Sequence, residues 1–294
     1  MTSNKILVTG SNGQLGSELK DLTSSYPQYQ FLFFDREQLP VNSASAVEKI
    51  FQKHRPDYLI NCAAYTAVDK AESEKELANE INGTAVGYLA LISRQYQTKF
   101  IHVSTDYVFK GDHSMPIKET DDVNPVNAYG ASKLLGEQLA IQNNAESIII
   151  RTSWVYSFYG KNFVKTMIRL MNEKKSIGVV DDQYGSPTYA ADLAEAIMKI
   201  ISSGKWPGGI YNFSNEGTIN WFDFADEIRR LINSSCIIHP LTTEQYPTPA
   251  RRPHYSVLDK TKIRQTFSIQ LKDWKESLRA CINKLQAATN KQQV

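Results

Sequence analysis

The amino-acid sequence predicts an α/β fold, a doubly wound parallel sheet (Rossmann-like) followed by a smaller, mostly helical C-terminal domain. Two observations predict it. In the first half of the chain, short apolar runs typical of buried strands alternate with helical patterns, and a glycine-rich turn follows the first run. Alternation of strands with helices indicates parallel strands, because parallel neighbours cannot be joined by a tight turn and need a crossover helix.

The predicted strands are short apolar runs bounded by polar or turn residues. They lie at Lys5–Thr9, Phe31–Asp35, Tyr58–Asn61, Lys99–Ser104 and Ser147–Arg151. Apolar residues at helical spacing separate them, at Leu15, Leu19 and Leu22, at Val47, Ile50 and Phe51, and over Leu77–Gln95.

The alternation loosens beyond Trp154, where helical patterns dominate. They cover Phe163–Met171, Ala190–Ile201, Phe222–Ile232 and Leu271–Leu285. The proline-rich segment Tyr246–Pro253 is predicted to be an ordered loop, because proline interrupts both helices and strands. The polar tail Asn290–Val294 is expected to be frayed.

These patterns predict a division into two domains. Residues 1–153 form the dinucleotide-binding domain, to which residues 178–212 return. Residues 154–177 and 213–294 form the substrate-binding cap.

The composition excludes several classes of protein. The 294 residues are 41% apolar and 22% charged, as in ordinary globular proteins, and the net charge is only +2. Nothing therefore predicts nucleic acid or a membrane as a partner. No signal peptide and no apolar run of membrane-spanning length is visible, and the three scattered cysteines fit a reducing, cytoplasmic location.

A dinucleotide fingerprint follows the first predicted strand. Gly10 permits a tight turn, Gly13 leaves room for a pyrophosphate, and Gly16 lets the helix pack closely on the strand. The helix that begins here offers free N–H groups and a partial positive charge to phosphates. The position of this turn favours a Rossmann-like cofactor site over an ordinary glycine-rich loop.

The residues that end the second strand point to two different cofactors. Asp35 stands where an acid would bond the adenosine ribose of NADH, whereas Arg36 could meet the 2′-phosphate of NADPH or be a solvated surface charge. The sequence therefore predicts NADPH or NADH and leaves the choice open.

A phenol and an ammonium four residues apart suggest acid–base chemistry. Tyr129 and Lys133 share one face if their segment is helical, and a nearby cation lowers the pKa of a phenol, so that Tyr129 becomes a usable proton donor. Thr105, at the end of the fourth strand, could orient a substrate carbonyl, with Ser104 on the opposite side of the strand. The alternative is a Ser/Thr pair that only bonds the local backbone.

The combined motifs resemble those of the extended short-chain dehydrogenase/reductases. They are the glycine turn, Asn61–Asp69 (NCAAYTAVD), Ser104–Phe109 (STDYVF) and Tyr129-x-x-x-Lys133. Later segments look like the dTDP-4-dehydrorhamnose reductase family: Arg151–Tyr156 (RTSWVY), Asp182–Thr188 (DQYGSPT) and Pro249–Pro253 (PARRP).

The resemblance implies a set of site residues. Thr105, Tyr129 and Lys133 are the implied catalytic residues. Those expected along the cofactor are Gly10, Asn12, Gly13, Gln14, Leu15, Gly16, Asp35, Arg36, Ala63, Ala64, Tyr65, Tyr129 and Lys133. Those expected on the substrate are Thr105, Asp106, Tyr129, Trp154 on the sugar and Arg252 on the diphosphate. The alternatives are a core indole for Trp154 and a local cap for Asp106.

The chain departs from the resemblance at one point. Some relatives pair through a metal-binding cluster of glutamates, and Glu18 could match one of them, but Ala191 stands where another acid is expected. We therefore expect no metal, and either a monomer or a homodimer.

The resemblance implies NAD(P)H-dependent reduction of dTDP-4-dehydro-6-deoxy-L-mannose (dTDP-4-dehydrorhamnose) to dTDP-L-rhamnose, the last step of dTDP-rhamnose synthesis. Two alternatives stay open. One is a sugar-nucleotide epimerase or dehydratase, which keeps its cofactor bound. The other is a non-catalytic dinucleotide-binding regulatory subunit of methionine adenosyltransferase.

Overall fold

The computed structural model describes residues 4–291, so most of the tail Asn290–Val294 predicted to be frayed lies outside the described residues. The first half contains, in order, β1 (Asn4–Thr9), α1 (Gln14–Asp21), β2 (Tyr29–Phe34), α2 (Ala44–His54), β3 (Tyr58–Asn61), α3 (Val68–Ala71), α4 (Lys75–Asn79), α5 (Ala85–Gln95), β4 (Lys99–Thr105), α6 (Ala128–Asn143) and β5 (Ile148–Thr152).

The second half has shorter strands and longer helices. It contains, in order, β6 (Val155–Tyr156), α7 (Phe163–Glu173), β7 (Ser176–Val180), β8 (Tyr184–Gly185), β9 (Thr188–Tyr189), α8 (Ala190–Ser202), β10 (Gly209–Asn212), β11 (Ile219–Asn220), α9 (Trp221–Leu231), β12 (Ile237–Leu241), α10 (Thr261–Phe267) and α11 (Trp274–Lys291).

A six-stranded sheet, in the order β2-β1-β3-β4-β5-β10, forms the centre of the molecule, and all its strands are parallel. The predicted doubly wound sheet is confirmed. The chain changes direction across the sheet between β1 and β3, and in such sheets ligands bind outside the carboxyl ends of the strands at that point. Residues 10–13 and 62–65 follow β1 and β3 and therefore lie at this crevice.

Helices cover both faces of the sheet. On one face, α1, α8 and α10 bury apolar residues such as Leu19, Ile197 and Ile263 against β1, β3 and β5. On the other, α2 and α5 bury residues such as Phe51 and Leu89. Because both faces are covered, the strands have nearly continuous apolar sequences instead of alternating ones.

The predicted helix over Leu77–Gln95 is interrupted. A π-helical turn, Glu80–Thr84, joins α4 to α5. Its Asn82 side chain accepts a hydrogen bond from the Tyr65 amide at 2.8 Å and donates to the Tyr65 carbonyl at 2.9 Å. The turn thus fixes the loop after β3, and π turns are often found at functional sites.

The cap has its own core, in which α7, α9 and α11 pack together with residues of β7, for example Val164, Phe224, Leu278 and Ile177. Three two-stranded pairs, β7 with β12, β8 with β11 and β6 with β9, complete it. No helix among residues 4–291 is long and apolar enough to span a membrane.

The proposed return of residues 178–212 to the first domain stays a prediction. Strand β10 joins the central sheet and α8 packs on it, whereas β7 pairs with β12 in the cap. These contacts favour a return that starts nearer residue 190 than residue 178. They also place α10 against the sheet, although it lies within the predicted cap segment 213–294.

Candidate active site

The glycine turn after β1 packs tightly on the loop after β3. Gly10 has a φ of 62°, and a Cβ there would lie 2.7 Å from the backbone nitrogen of Ala63, so a larger residue would force the two loops apart. The next helix, α1, begins after Gly13, and no side chain caps its first turn. Its N–H groups are therefore available to an anion.

A cavity of about 260 Å³ opens beside this turn. Eight of the predicted cofactor residues line it: Gly10, Asn12, Gly13, Asp35, Arg36, Ala63, Ala64 and Tyr65. The uncapped helix and the cavity together fit the adenosine and phosphate portions of a dinucleotide.

The other predicted cofactor residues on α1 form its first turn. Gln14 accepts a hydrogen bond from Asn162 at 3.0 Å. Leu15 is buried in the core on the α1 face of the sheet, and Gly16 follows it. Gln14 and Leu15 therefore position the turn through their side chains, which are turned towards protein.

Asp35 and Arg36 lie at the rim of the cavity with different environments. The Asp35 carboxylate accepts hydrogen bonds from the Glu37 and Gln38 amides at 3.0 Å each and from the Asn12 side chain at 2.9 Å. Arg36 is exposed. Both residues line the cavity, so its lining is compatible with NADH and with NADPH.

Thr105 and Tyr129 come together where β4 ends and α6 begins. The Thr105 hydroxyl donates to Asp106 at 2.9 Å, accepts from the Tyr107 amide at 3.2 Å, and interacts with the phenol of Tyr129. Gly130 makes this approach possible, since a Cβ there would lie 2.1 Å from the Tyr107 carbonyl oxygen. Asn127 begins the helix by accepting from the Gly130 amide at 2.7 Å.

Tyr129 is deeply enclosed. Burial raises its pKa to about 12, with the Asp106 carboxylate in support and the hydrogen bond with Thr105 in opposition. This is the reverse of the lowering expected from a neighbouring ammonium, because burial dominates here. A phenol in this state holds its proton at neutral pH and can donate it to a developing alkoxide.

Asp106 is buried next to Thr105, 2% exposed, and its Oδ2 atom has no hydrogen-bond partner among the described residues. Burial raises the pKa of this carboxyl to about 6, although hydrogen bonds from Ser256 and Thr105 oppose the change. Ser104 is buried as well, and its hydroxyl likewise has no partner in residues 4–291.

Lys133 lies one helical turn after Tyr129 and is 1% exposed. Its side-chain nitrogen Nζ donates to the Val103 carbonyl at 2.7 Å and lies 3.1 Å from Nε2 of His102. Burial lowers the pKa of Lys133 to about 8, and Glu137 opposes that change.

A second cavity, of about 350 Å³, opens beside the cap, and Arg252 and Asp69 are among its lining residues. Arg252 forms a bidentate ion pair with Asp69, at 2.7 and 2.8 Å, which lowers the pKa of that carboxyl. The guanidinium also donates to Thr248 and to the Ala250 carbonyl, at 2.7 Å each. The proline-rich loop thereby holds Arg252 against α3.

Trp154 is stacked on Trp221, with ring centroids 3.6 Å apart and an interplanar angle of 13°. Trp221, not Trp154, is among the residues that line the second cavity. The φ of Trp154 is 48°, in a region that costs a large side chain energy. The stack holds the Trp154 indole against the start of α9.

Glu18 is 2% exposed, and its carboxylate already has partners within the chain. It accepts from Ser157 at 2.6 Å and from Lys284 at 3.2 Å. Across residues 4–291, no three His, Cys, Asp or Glu side chains are grouped to hold a metal ion. The absence of a metal stays a prediction.

Several residues of the site were missed in the sequence. His102 and Asn61 lie within or at the end of predicted strands, and a buried polar residue in an apolar run was the available signal. Trp221 opens a helix, and Asp69 lies in the motif after β3. Nothing local indicates the partners of these last two, because the partners are distant in sequence.

The family model described as the RmlD substrate binding domain matches residues 4–287. The chain is 41% identical to a dTDP-4-dehydrorhamnose reductase of Aggregatibacter actinomycetemcomitans, over 94% of this chain and 97% of that protein. It is 40% identical to the spore coat polysaccharide biosynthesis protein SpsK of Bacillus subtilis, over 97% and 99% of the two chains.

Solved structures agree with these relatives. A dTDP-4-dehydrorhamnose reductase of Bacillus anthracis, in complex with NADP, is 40% identical and superposes with a TM-score of 0.92 over 96% of this chain and all of that one. An epimerase of Thermus thermophilus, at 19% identity and a TM-score of 0.78, shares the fold.

Proposed function

Because the chain belongs to the RmlD substrate binding domain family, we propose that it reduces dTDP-4-dehydrorhamnose to dTDP-L-rhamnose with NADPH or NADH. This reaction would be the last step of dTDP-rhamnose synthesis. The observation that carries the proposal is the meeting of the Thr105 hydroxyl and the Tyr129 phenol at the end of β4, with Lys133 one turn further along α6.

Each of these three side chains has a role in the proposed reaction. Bound NAD(P)H would supply the hydride. Thr105 orients the keto oxygen, and Tyr129, which holds its proton at neutral pH, donates it to the developing alkoxide. Lys133 binds the nicotinamide ribose and stabilises the phenolate that remains.

The cofactor would lie along the glycine turn. Its phosphates would meet the uncapped first turn of α1, and its adenosine would occupy the cavity lined by Asp35, Arg36 and Tyr65. Gln14, Leu15 and Gly16 would support that turn rather than contact the ligand through their side chains.

The substrate would enter from the second cavity. The Arg252 fork is held by Asp69, so it would exchange that carboxylate for the diphosphate, and Trp154 would present a rigid aromatic surface to the sugar. Asp106 accepts the hydrogen bond of the Thr105 hydroxyl, and because that hydroxyl has one proton, it would turn from Asp106 to the keto oxygen when the substrate binds. We also propose the division into the two domains given above and assembly as a monomer or a homodimer.

The test is a stoichiometric assay. Purified protein is mixed with enzymatically prepared dTDP-4-dehydrorhamnose, and oxidation of NADPH and of NADH is followed at their absorbance maximum. We expect one cofactor oxidised per sugar reduced, and no turnover with a UDP-linked 4-keto sugar at matched concentration. Turnover without added cofactor would indicate an epimerase instead, and co-purification of an adenosyltransferase without any oxidation would indicate a regulatory subunit.

A cytoplasmic location and the absence of a nucleic-acid partner are also proposed. The three cysteines, Cys62, Cys236 and Cys281, are all free thiols, which fits a reducing compartment.

A further inference from the structure

A row of buried polar side chains crosses three neighbouring strands below the candidate active site. Thr9, Asn61 and His102 lie side by side in the register of β1, β3 and β4, and none is more than 1% exposed. Thr9 donates to Asn61 Oδ1 at 2.6 Å, and Asn61 Nδ2 lies 3.0 Å from His102 Nδ1. The row ends at Lys133, 3.1 Å from His102 Nε2.

A backbone amide fixes the direction of every hydrogen bond in this row. The Ala63 N–H donates to Asn61 Oδ1 at 3.2 Å, and because a backbone N–H can only donate, that atom must be the oxygen. Asn61 therefore presents its NH₂ group to His102, whose Nδ1 must accept. A neutral imidazole that accepts at Nδ1 carries its proton on Nε2.

Lys133 consequently faces a hydrogen-bond donor. Burial lowers the pKa of His102 well below its usual value, so the ring is neutral. An ammonium has three donors and no acceptor, so a charged Lys133 would set two donors against each other in a buried place. An uncharged amine can accept from His102 and still donate to the Val103 carbonyl at 2.7 Å.

The charged and titratable groups around Lys133 have other partners, so they do not replace His102 as the group that faces its Nζ atom. Tyr129 and Glu137 flank Lys133 on α6, and Arg151 of β5 already binds Glu137 through two nitrogens, at 3.0 and 2.7 Å. Asp106 bonds Thr105. In this cofactor-free arrangement the pKa of Tyr129 is set by burial, Thr105 and Asp106.

We propose that His102 is a positioning residue that keeps Lys133 as an uncharged amine in mildly alkaline solution until the cofactor binds. Lys133 then turns from His102 to the nicotinamide ribose and takes up one proton from solvent at Nζ. In mildly alkaline solution Tyr129 therefore gains its cationic neighbour only when the cofactor binds, which couples activation of the acid to cofactor binding. The proposal rests on the proposed function in that it places Lys133 in the cofactor site.

The first test observes the ring itself in the cofactor-free protein. Nitrogen-15 NMR of labelled histidine, assigned with His102→Gln, should show His102 with its proton on Nε2. In Asn61→Asp a carboxylate cannot donate, so the proton should move to Nδ1. Thr9→Val removes another contact of the same row without touching that donor, and should keep the wild-type tautomer. A wild-type His102 protonated on Nδ1, or on both nitrogens, overturns the proposal.

The second test counts protons. Calorimetry of NADP⁺ binding near pH 9, which is above the lowered pKa of Lys133 at about 8, is repeated in two buffers of different ionisation enthalpy. The wild type should take up close to one proton per cofactor, and Asn61→Asp close to none, since its Lys133 is charged beforehand. No uptake in the wild type, or equal uptake in both proteins, overturns the proposal.

Neither measurement contains the sugar. A protein that passes both tests but does not reduce dTDP-4-dehydrorhamnose would refute the proposed function alone. A protein that reduces it but fails the tautomer test would refute only the role of His102.

Discussion

Tyr129 is the residue whose removal tests the chemistry most directly. Tyr129→Phe removes the proton donor but keeps the ring beside Tyr107, whose centroid lies 5.8 Å away. We expect kcat to fall by about 10²-fold to 10⁴-fold, with the Kd for NADPH nearly unchanged. Steady-state kinetics and a cofactor titration measure the two effects. Tyr107→Phe is the matched control, and full activity in Tyr129→Phe would remove this phenol from the mechanism.

Asp106 should make stability depend on pH in an unusual direction. Its folded-state pKa, about 6, is above the ordinary 3.8, so the folded protein holds this proton more tightly than the unfolded chain. The stabilisation is therefore complete below about pH 4 and is lost as the pH rises through about 6, and a raised pKa of this size corresponds to roughly 3 kcal/mol.

Asp106→Asn cancels that titration. Relative to the wild type, the free energy of unfolding of the variant should increase between pH 4 and pH 7 by roughly 3 kcal/mol, as measured by urea denaturation at both values. The exposed Asp122, replaced by Asn, is the control and should follow the wild type. A constant difference between Asp106→Asn and the wild type would contradict the assignment.

At the residue scale, the residues that form a motif could be predicted from the sequence. The residues that contact and position them could not. Thr105, Tyr129 and Lys133 were predicted from spacing and order. His102 and Asn61 were counted as strand residues, because the contact between them depends on the register of two strands far apart in the sequence. Register is set by packing, which no single segment contains.

At the scale of elements, α6 is joined to β5 by a buried ion pair. Arg151 and Glu137 are each 2% exposed, and the guanidinium also lies 4.9 Å from the ring centroid of Phe109. Arg151→Met strands the carboxylate, so the free energy of unfolding should fall by about 3–5 kcal/mol. Adding Glu137→Gln should recover part of that loss, which thermal and urea unfolding can measure.

A second ion pair provides the comparison. Arg169 and Glu173 form an exposed pair one turn apart on α7. Arg169→Met should cost less than about 1 kcal/mol, because solvent screens such pairs. Equal losses in Arg151→Met and Arg169→Met would show that burial does not decide the strength of the α6–β5 contact.

The long elements could be predicted from the sequence, and the short ones could not. Strand β3 has the predicted bounds and β1, β2, β4 and β5 differ by at most two residues, because continuous apolar runs are a strong signal. The two-residue strands β6, β8, β9 and β11 are too short to show any alternation. The π turn between α4 and α5 is fixed by the distant backbone of Tyr65, so its own sequence still looks helical.

At the scale of the whole molecule, a charged cluster ties the cap to the helix of the glycine turn. Lys284 of α11 donates to Glu18 at 3.2 Å and to Asp21 at 2.7 Å, both on α1. Tyr159 of the cap donates to Asp21 at 2.8 Å. The helix that would receive the cofactor phosphates is therefore also held by the cap.

Lys284→Met tests this connection. The variant leaves Glu18 buried, with Ser157 as its one remaining hydrogen-bond partner among residues 4–291, so we expect a loss of about 1–3 kcal/mol in the free energy of unfolding. Because the contact joins α11 to α1, limited proteolysis should also release the C-terminal helix sooner. Lys275→Met, on the same helix and away from α1, is the control. Wild-type stability in Lys284→Met would mean that the cluster contributes nothing to holding the two parts together.

The sequence predicted only in part where the chain passes between the sheet domain and the cap. The helical pattern Ala190–Ile201 was assigned to the sheet, but the placement of α10 on the sheet could not be predicted, since its seven residues carry no feature that distinguishes sheet from cap. Packing against Tyr211 and the central core decides it.

This threading limits how the protein can be taken apart. Strand β10 and helices α8 and α10 complete the sheet from parts of the chain that lie beyond the first stretch of the cap. A gene fragment that stops after β5 would encode a sheet with an uncovered apolar face and an open edge at β5. A chimera that takes its cap from a relative, to exchange substrate preference, would therefore need a junction at each point where the chain passes between the sheet domain and the cap. A single junction would not be enough.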